Sequence, residues 1–307
     1  MFEHDDSGAP VAAHAGLGAG AQAALEELLS GISLEVSWRE AAAIDAAAAV
    51  LPAGTCIYVP SVPGQPIERA LDVLGPIQRH GLDPVPHLAA RRVASRDQAL
   101  QFLSEAVNRH RVHRVMLVGG DEPQPGGPYA SSIELLRSGV LGDAGVREIG
   151  VAAYPEGHPK ITLERLWQAF DDKVALAREQ GLGVYVVTQF SFAPGRIVAL
   201  CGELAHRAPE VPVYVGMPGP SDPMALLRYA QRCGVSASRR ALSTLGSGIA
   251  RLVTHTDPGE QIAAIAHYCD THRNGNVVGV HLFSFGGALR TARWVAERVS
   301  ANTALRA

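Results

Sequence analysis

Eight short apolar runs, rich in β-branched residues, recur along the chain with longer amphipathic or Ala-rich stretches between them. The runs are ISLEVS (32–37), TCIYVP (55–60), LDPVPHL (82–88), HRVMLVGG (113–120), EIGVAAY (148–154), GVYVVTQF (183–190), VPVYVG (211–216) and VVGVHLF (277–283). Runs without a polar alternation are typical of parallel strands that helices cover on both faces. Two intervening stretches carry helix-boundary signals: Pro66 and Gly81 bracket one, and Ser95 is a candidate N-cap for the other. The pattern predicts a repeated βα unit.

Eight such units over about 250 residues match a (β/α)8 TIM barrel, and a doubly wound open sheet is the alternative α/β architecture. We expect residues 1–20 to form a flexible lead-in and residues 21–307 to form one catalytic barrel, with an extra helix within 234–257 before the last strand. The lead-in contains GLGAG (16–20), but no strand precedes it, as a dinucleotide-binding loop would require.

Charge and cysteine content favour a small-molecule partner. The net charge is -3 with Lys and Arg spread along the chain, so nothing predicts nucleic-acid binding. No apolar run is long enough for a membrane span, and the N-terminus lacks the basic region of a signal peptide. The 4 cysteines are far apart and form no CxxC pair, which predicts neither zinc nor disulfides and fits a cytoplasmic protein. Whether the chain forms a homo-oligomer is left open.

Polar residues stand where the predicted strands end, which is where a TIM barrel places its active site. Glu35 ends the first strand, His87 the third, Gly120 and Asp121 the fourth, Tyr154 to His158 in AAYPEGHP the fifth and Gln189 the sixth, while Met217 follows the seventh and His281 lies in the eighth. A carboxylate pointing into a barrel needs a partner or a raised pKa. Glu35 is therefore either half of an ion pair or a functional acid.

An ordered set of motifs resembles methylenetetrahydrofolate reductase, in its bacterial single-domain form, over about residues 31 to 290. The motifs are Glu35 on its strand, PHL at the end of the third strand, GGDEPQPGGPYASS, AAYPEGHP, the lysine of DDKV and VVTQF. The resemblance implies a (β/α)8 barrel that binds FAD at its mouth. It also implies an oxidoreductase that interconverts 5,10-methylenetetrahydrofolate and 5-methyltetrahydrofolate with NAD(P)H.

The resemblance also implies residue roles. Glu35 would be the general acid that protonates N10 of the folate, which opens its five-membered ring to an N5 iminium that accepts hydride. Asp121 and Gln189 would bind the pterin. The flavin-contacting positions would be His87, Gly120, Asp121, Tyr129, Ala130, Tyr154, His158 and Lys173, and no metal ligand is implied.

Several positions depart from the family pattern. Gly119, Pro60 and Asp172 stand where the family has an arginine, a threonine and an arginine, and Ala169 and Leu166 where it has an asparagine and an aspartate. Pro223 or Met224 replaces the aromatic residue expected after the seventh strand, and HLFSFGG (281–287) lacks the expected Asn and Arg. These changes predict that FAD is weakly bound or absent and that NAD(P)H passes its hydride directly to the folate.

Two other functions remain open. A metal-dependent barrel hydrolase or lyase would use His87, Asp121, Glu156, His158 and His281, although no HxH pair occurs on one strand. A non-catalytic folate-binding barrel would explain the lost cofactor contacts but leaves Glu35 without a use. The sequence does not decide between the two reaction directions, between NADH and NADPH, or which folate polyglutamate is used.

Overall fold

The computed structural model describes residues 17–191, 193–221, 226, 258–272 and 275–304. Eight parallel strands pair in sequence order and close into a barrel, β1 pairing with β8. The strands are β1 Ser33–Glu35, β2 Cys56–Val59, β3 Asp83–Ala89, β4 Arg114–Val118, β5 Glu148–Ala153, β6 Gly183–Thr188, β7 Val213–Pro218 and β8 Val277–Phe283. All eight predicted strands and the (β/α)8 TIM barrel are confirmed.

Helices surround the barrel. They are α1 Ala19–Ser30, α2 Ala41–Ala48, α3 Leu71–Arg79, α4 Arg96–His110, α5 Ser132–Arg137, α6 Val140–Asp143, α7 Leu163–Glu179, α8 Pro194–Arg207, α9 Gly259–Thr271 and α10 Ala288–Ala304. Short 3-10 helices at Trp38–Glu40, Ile67–Ala70 and Ala90–Arg92 follow β1, β2 and β3. Ser95 caps α4 as predicted, because its hydroxyl accepts a hydrogen bond from the Gln98 N–H at 3.1 Å.

Alternate residues of each strand face the helices or the barrel interior. Leu34 and Ile57 belong to the large hydrophobic core that the helices complete. A separate apolar cluster includes Tyr58, Met116 and Tyr185. These large side chains fill the interior, so the barrel is a packed core and not a channel.

An ion pair joins two strands at the amino-terminal end of the barrel. Arg114, the first residue of β4, pairs with Glu148, the first residue of β5, at 3.1 Å. The Arg114 guanidinium also lies 5.4 Å from the centroid of the Tyr185 ring and within 3.5 Å of the Cys56 sulfur. This end of the interior is thus occupied by protein side chains, which leaves the opposite end for a ligand.

Three expectations about the chain differ from the structure or fall outside it. Met217 lies inside β7 and is fully buried, because β7 extends to Pro218. Helix α1 begins at Ala19 and buries Ala21, Leu25 and Leu28, so the helix includes the end of the predicted lead-in. The extra helix predicted within 234–257 and residues 1–16 lie outside the described residues. No helix in the described ranges combines the length and apolar character needed to cross a membrane.

Candidate active site

Glu35 is the carboxyl-terminal residue of β1, at the mouth of the barrel. Burial, and secondarily the charge of Glu40, raise the pKa of its carboxyl group to about 7. Its backbone carbonyl accepts a hydrogen bond from the Ser284 hydroxyl. Within the described residues the carboxyl group itself has no hydrogen-bond partner and no ion pair. Glu35 is therefore placed to hold a proton near neutral pH and to release it to a bound molecule.

Glu40 is fixed close to this acid. One of its carboxylate oxygens accepts from the Ala288 N–H at 3.0 Å, and the other from the Ser37 N–H at 3.3 Å. These bonds tie the segment after β1 to the start of α10. The negative charge of Glu40 is thereby kept where it disfavours ionisation of Glu35.

Two histidines, His87 in β3 and His281 in β8, pack against Tyr58. The ring centroids of Tyr58 and His281 are 4.5 Å apart and those of Tyr58 and His87 are 6.0 Å apart. Burial lowers the pKa of His87 to about 4, and burial together with His87 lowers that of His281 to about 3. Nδ1 of His281 lies 3.0 Å from the Ser33 hydroxyl, whereas Nε2 of His87 is buried without a hydrogen bond in the described region. Both imidazoles are neutral at physiological pH.

Three phenylalanines cluster after β6 and at the end of β8, where Phe283 and Phe285 are partly exposed and Phe190 is buried behind them. Centroid distances are 5.6 Å from Phe190 to Phe283, 5.2 Å from Phe190 to Phe285 and 6.0 Å from Phe283 to Phe285, the last pair stacked at 15°. Phe285 has a φ of 49°, a left-handed conformation that bulky residues rarely adopt. Phe283 and Phe285 flank Ser284, whose hydroxyl contacts Glu35. An apolar aromatic surface thus adjoins the acid; sequence reasoning missed it, although QF and FSF at strand ends were its signal.

Gln189 follows β6, and its backbone N–H donates to the Ala153 carbonyl at 2.7 Å. Its side-chain Oε1 accepts from the Phe190 N–H at 3.0 Å, while its amide Nε2 makes no hydrogen bond within the described residues. The aromatic contacts of Phe190 join this segment to Phe283 and Phe285, which flank Ser284. Gln189 is therefore linked to Glu35 through the end of β8, although β6 is three strands from β1 around the barrel.

AAYPEGHP forms a tight turn at the end of β5. The Gly157 N–H donates to the Tyr154 carbonyl at 3.0 Å, and Gly157 has a φ of 76°. The Tyr154 and His158 rings meet edge to face at 5.2 Å. Burial lowers the pKa of His158, Asp121 acts to raise it and Lys160 acts to lower it. The structure thus brings Tyr154, His158 and Asp121 together, as their positions at strand ends predict.

The loop from Gly119 to Ser131 joins β4 to α5 and carries Asp121, which is exposed. Gly120 has a φ of 98°, and a Cβ there would lie 2.8 Å from Oε2 of Glu122. The Tyr129 ring is only 6% exposed and packs in the hydrophobic core, so it does not line the mouth. The backbone N–H of Ala130 donates to Glu134 at 2.7 Å and its carbonyl accepts from Arg91 at 2.8 Å.

Arg91 and Arg92, at the end of β3, are residues that sequence reasoning overlooked. Both side chains reach the loop after β4, Arg91 through backbone carbonyls and Arg92 through Glu122. The arginine that the resemblance leads one to expect at position 119 is thus absent, and two arginines enter the same loop from the neighbouring strand. The signal was the RR pair directly after PHLAA.

Lys173 lies on α7 and has no ion-pair or hydrogen-bond partner in the described part of the chain. Burial lowers its pKa to about 8. Its neighbour Asp172 is exposed and accepts a hydrogen bond from the Gln168 amide at 2.7 Å. Lys173 therefore loses its proton at a lower pH than an exposed lysine does. The Asp172 carboxylate is bonded to a residue of its own helix.

The residues of the metal-dependent alternative do not form a ligand set. Within the described ranges, which include all five, no group of three His, Cys, Asp or Glu side chains could hold a metal ion. Glu156 instead accepts a hydrogen bond from the Ser191 hydroxyl at 2.7 Å. His87 and His281 both contact the Tyr58 ring edge to face.

Comparison with known proteins adds little to this geometry. No protein-family model matches the chain. A dihydropteroate synthase from Thermus thermophilus is similar over 90% of this chain and 95% of its own, with 16% identity and a TM-score of 0.47. The Yersinia pestis dihydropteroate synthase with a pterine-sulfa conjugate gives 13% identity over 90% and 95% of the two chains, with a TM-score of 0.46. A type I 3-dehydroquinate dehydratase from Clostridium difficile gives 12% identity over 60% and 73%, with a TM-score of 0.36.

Likeness at this level says nothing about what this chain binds or catalyses. The class of protein that the fold and site define is a (β/α)8 barrel with a protonatable carboxyl group and an aromatic surface at its carboxyl-terminal mouth.

Proposed function

We propose that the protein is an oxidoreductase that interconverts 5,10-methylenetetrahydrofolate and 5-methyltetrahydrofolate, with NAD(P)H as the hydride donor. The observation that carries this proposal is Glu35, a carboxyl group at the barrel mouth with a pKa of about 7. A binding protein has little use for a group that is costly to bury and has no partner within the described residues. A ring opening that requires a proton at neutral pH does need such an acid.

The reaction balances with these groups. Glu35 donates its proton to N10 of the folate, the bond between N10 and the bridging methylene carbon breaks, and an N5 iminium forms. A hydride from C4 of the dihydronicotinamide then adds to the methylene carbon, giving the N5 methyl group and NAD(P)+. The Glu35 carboxylate regains a proton from solvent. In the opposite direction the same carboxylate accepts the N10 proton, since the site serves both directions.

The groups near Glu35 suit the flat rings of the pterin and the nicotinamide. The partly exposed rings of Phe283 and Phe285, packed on the buried Phe190, offer apolar faces for a pterin or a nicotinamide, and aromatic rings prefer offset or edge contacts with one another. Gln189, whose amide nitrogen makes no hydrogen bond within the described residues, and Asp121 offer a donor and an acceptor for the polar edge of the pterin. On this proposal Asp121 is the outermost of these groups, because it is exposed.

The residues present do not fit an FAD bound as the resemblance implies. Both polar groups of the Ala130 backbone are already used, by Glu134 and Arg91. Tyr129 is packed in the core, and Asp172 adds a negative charge next to Lys173. We therefore propose direct hydride transfer from NAD(P)H to the folate and derive no step through a flavin.

The first test combines a visible absorption spectrum of protein purified without added flavin with an assay of NADH and NADPH oxidation by 5,10-methylenetetrahydrofolate. We expect a colourless protein that turns over without FAD. A flavin band with turnover that requires FAD would overturn direct transfer while keeping the reductase. No turnover with either nucleotide in either direction would overturn the reductase itself.

Glu35→Gln separates the reductase from a non-catalytic folate-binding barrel. The amide keeps the shape of the side chain but cannot donate the proton, so turnover should fall at least about 100-fold, the usual scale for a lost general acid. Folate binding, followed by fluorescence or calorimetry, should change little. A variant that retains full turnover would show that Glu35 is not the acid.

A further inference from the structure

The loop after β4, residues 119–131, is fastened to the end of β3 by Arg91. The Arg91 guanidinium donates to the carbonyls of Glu122 at 2.7 Å and of Pro123 and Ala130 at 2.8 Å. The two backbones are also joined, with Arg91 N–H to the Gly119 carbonyl at 2.9 Å and Gly126 N–H to the Arg91 carbonyl at 2.7 Å. One side chain therefore holds both the start and the end of the loop, a task suited to a planar guanidinium, whose donors point in several fixed directions.

Arg92 links three strand ends through one ion pair and one hydrogen bond. Its side chain is 7% exposed, pairs with Glu122 and donates to the Ser61 hydroxyl at 2.8 Å. Ser61 follows β2, Arg92 follows β3 and Glu122 follows β4. Because a guanidinium this buried is costly without partners, its geometry is strongly constrained by Glu122 and Ser61.

Two glycines show how closely the loop lies on the segment after β3. A Cβ at Gly127 would lie 2.3 Å from the Val93 carbonyl oxygen and 2.4 Å from that of Ala94. A Cβ at Gly120 would lie 3.3 Å from Cβ of Arg91 as well as close to Glu122. No other residue fits at Gly127 without moving the backbone, so the loop packs directly on the backbone of the segment after β3.

Asp121 lies between Gly120 and Glu122, both of which this network holds. We propose that Arg92, supported by Arg91, is a positioning residue that holds Asp121 at the barrel mouth beside His158. A contact of Asp121 with the pterin rests on the proposed function, whereas the placement of Asp121 near His158 does not. Neither arginine need touch a substrate.

The placement can be tested by titrating His158 by NMR, its signal being assigned by loss in His158→Gln. The charged groups that act on its ring are Asp121, which raises its pKa, and Lys160, which lowers it. Asp121→Asn should therefore lower the His158 pKa, and Arg92→Ala should lower it by a similar amount because the loop releases Asp121. Removing the positive charge of Arg92 without moving Asp121 would instead leave the pKa unchanged or raise it, and that result would overturn the proposal.

Two further variants guard against a trivial result. Arg92→Lys keeps the charge, so its His158 pKa should lie between those of wild type and Arg92→Ala. Glu122→Gln removes the other member of the ion pair and replaces Arg92→Ala if that variant does not fold. Arg96→Ala is the control, since Arg96 pairs with Asp143 at an exposed site and should leave His158 unchanged.

Kinetics then distinguish failure of this inference from failure of the proposed function. If wild type turns over folate, Arg92→Ala should raise the KM for folate about tenfold, the scale of one lost polar contact, with a smaller change in kcat. An active wild type with unchanged Arg92→Ala kinetics would count against the positioning role. An inactive wild type would refute the reductase, while the His158 titration would still test the placement of Asp121.

Discussion

At the scale of single residues, Glu35 shows two opposing demands. Burial at the end of β1 raises its pKa to about 7, which suits a proton donor. The same burial makes the ionised form costly, because a carboxylate without a partner loses its hydration. Stability and function are therefore coupled through one side chain, and each can be measured separately.

We expect the rate of methylenetetrahydrofolate reduction to depend on protonated Glu35. Its pKa of about 7 means that kcat/KM should be level below that pH and fall tenfold per pH unit above it. The measurement is a pH profile of kcat/KM with nucleotide saturating. A profile that stays level to pH 9 would exclude Glu35 as the proton donor.

The free energy of unfolding should also fall as pH rises, but over a lower pH range than the rate. In the unfolded chain the carboxyl group ionises near pH 4.5, whereas in the folded protein it ionises near 7, so stability is lost as pH rises between these values. Glu35→Gln should remove this cost and increase stability by up to about 3 kcal/mol at pH 8, with little change at pH 4. Urea unfolding of wild type and Glu35→Gln at both pH values tests this prediction. Equal stability of the two proteins at pH 8 would show that the ionised Glu35 is solvated.

Asp121→Ala should weaken folate binding and turnover together. On the proposed function the lost carboxylate no longer meets the pterin, and a single hydrogen bond to a charged group corresponds to about a tenfold change in KM. Steady-state kinetics with Asp143→Ala as an exposed control check this. Unchanged kinetics would mean that the pterin does not lie against the loop after β4.

At the scale of elements, β6, β7 and β8 approach so closely that Gly216 admits no side chain. A Cβ there would lie 1.9 Å from the Thr188 carbonyl oxygen and 2.8 Å from the Phe283 ring, and the Gly216 N–H donates to the Thr188 hydroxyl at 2.8 Å. The position of the Phe283 ring therefore depends on this close approach of the three strands.

Gly216→Ala should destabilise the protein by about 2 kcal/mol or more and displace Phe283, because overpacking forces the backbone to move. Gly195→Ala is the matched control, since its added methyl group meets nothing within 4 Å and should be neutral or slightly stabilising. Chemical denaturation gives the stability and aromatic NMR shifts report the ring. A Gly216→Ala variant as stable as the control would contradict this packing.

At the scale of the whole molecule, the barrel separates a stabilising end from a functional end. Arg114 and Glu148 join β4 and β5 at the amino-terminal end, and Glu35 lies at the carboxyl-terminal end of its strand. Tyr58, Met116 and Tyr185 lie in the interior cluster that fills the barrel. Substitutions at one end of the barrel should therefore have little effect on the properties of the other end.

Arg114→Met should lower the free energy of unfolding by about 1–3 kcal/mol, because it leaves the Glu148 carboxylate half-buried without its partner. Its kcat/KM should stay within about threefold of wild type. Thermal or urea unfolding and steady-state kinetics on the same preparation give both numbers. A large loss of kcat/KM with unchanged stability would show that the two ends are coupled.

The strand ends explain why much of the site could be predicted. The order and spacing of eight apolar runs place Glu35, Asp121, Tyr154, His158 and Gln189 at one mouth, because parallel strands in a barrel all end on the same face. Met217 was misplaced because the sequence shows where a strand is apolar but not where pairing with β8 stops it.

What the sequence by itself determined is the barrel and the residues at its mouth, since period, order and strand ends are local properties of the chain. Only the tertiary structure decided how those residues behave. The raised pKa of Glu35 depends on what surrounds it, and the aromatic surface depends on contacts between strand ends far apart in sequence. Arg91 and Arg92 contact a loop about 30 residues away in sequence, and Tyr129 packs in the hydrophobic core. Desolvation and contacts between loops arise only when distant segments meet, and no local pattern encodes them.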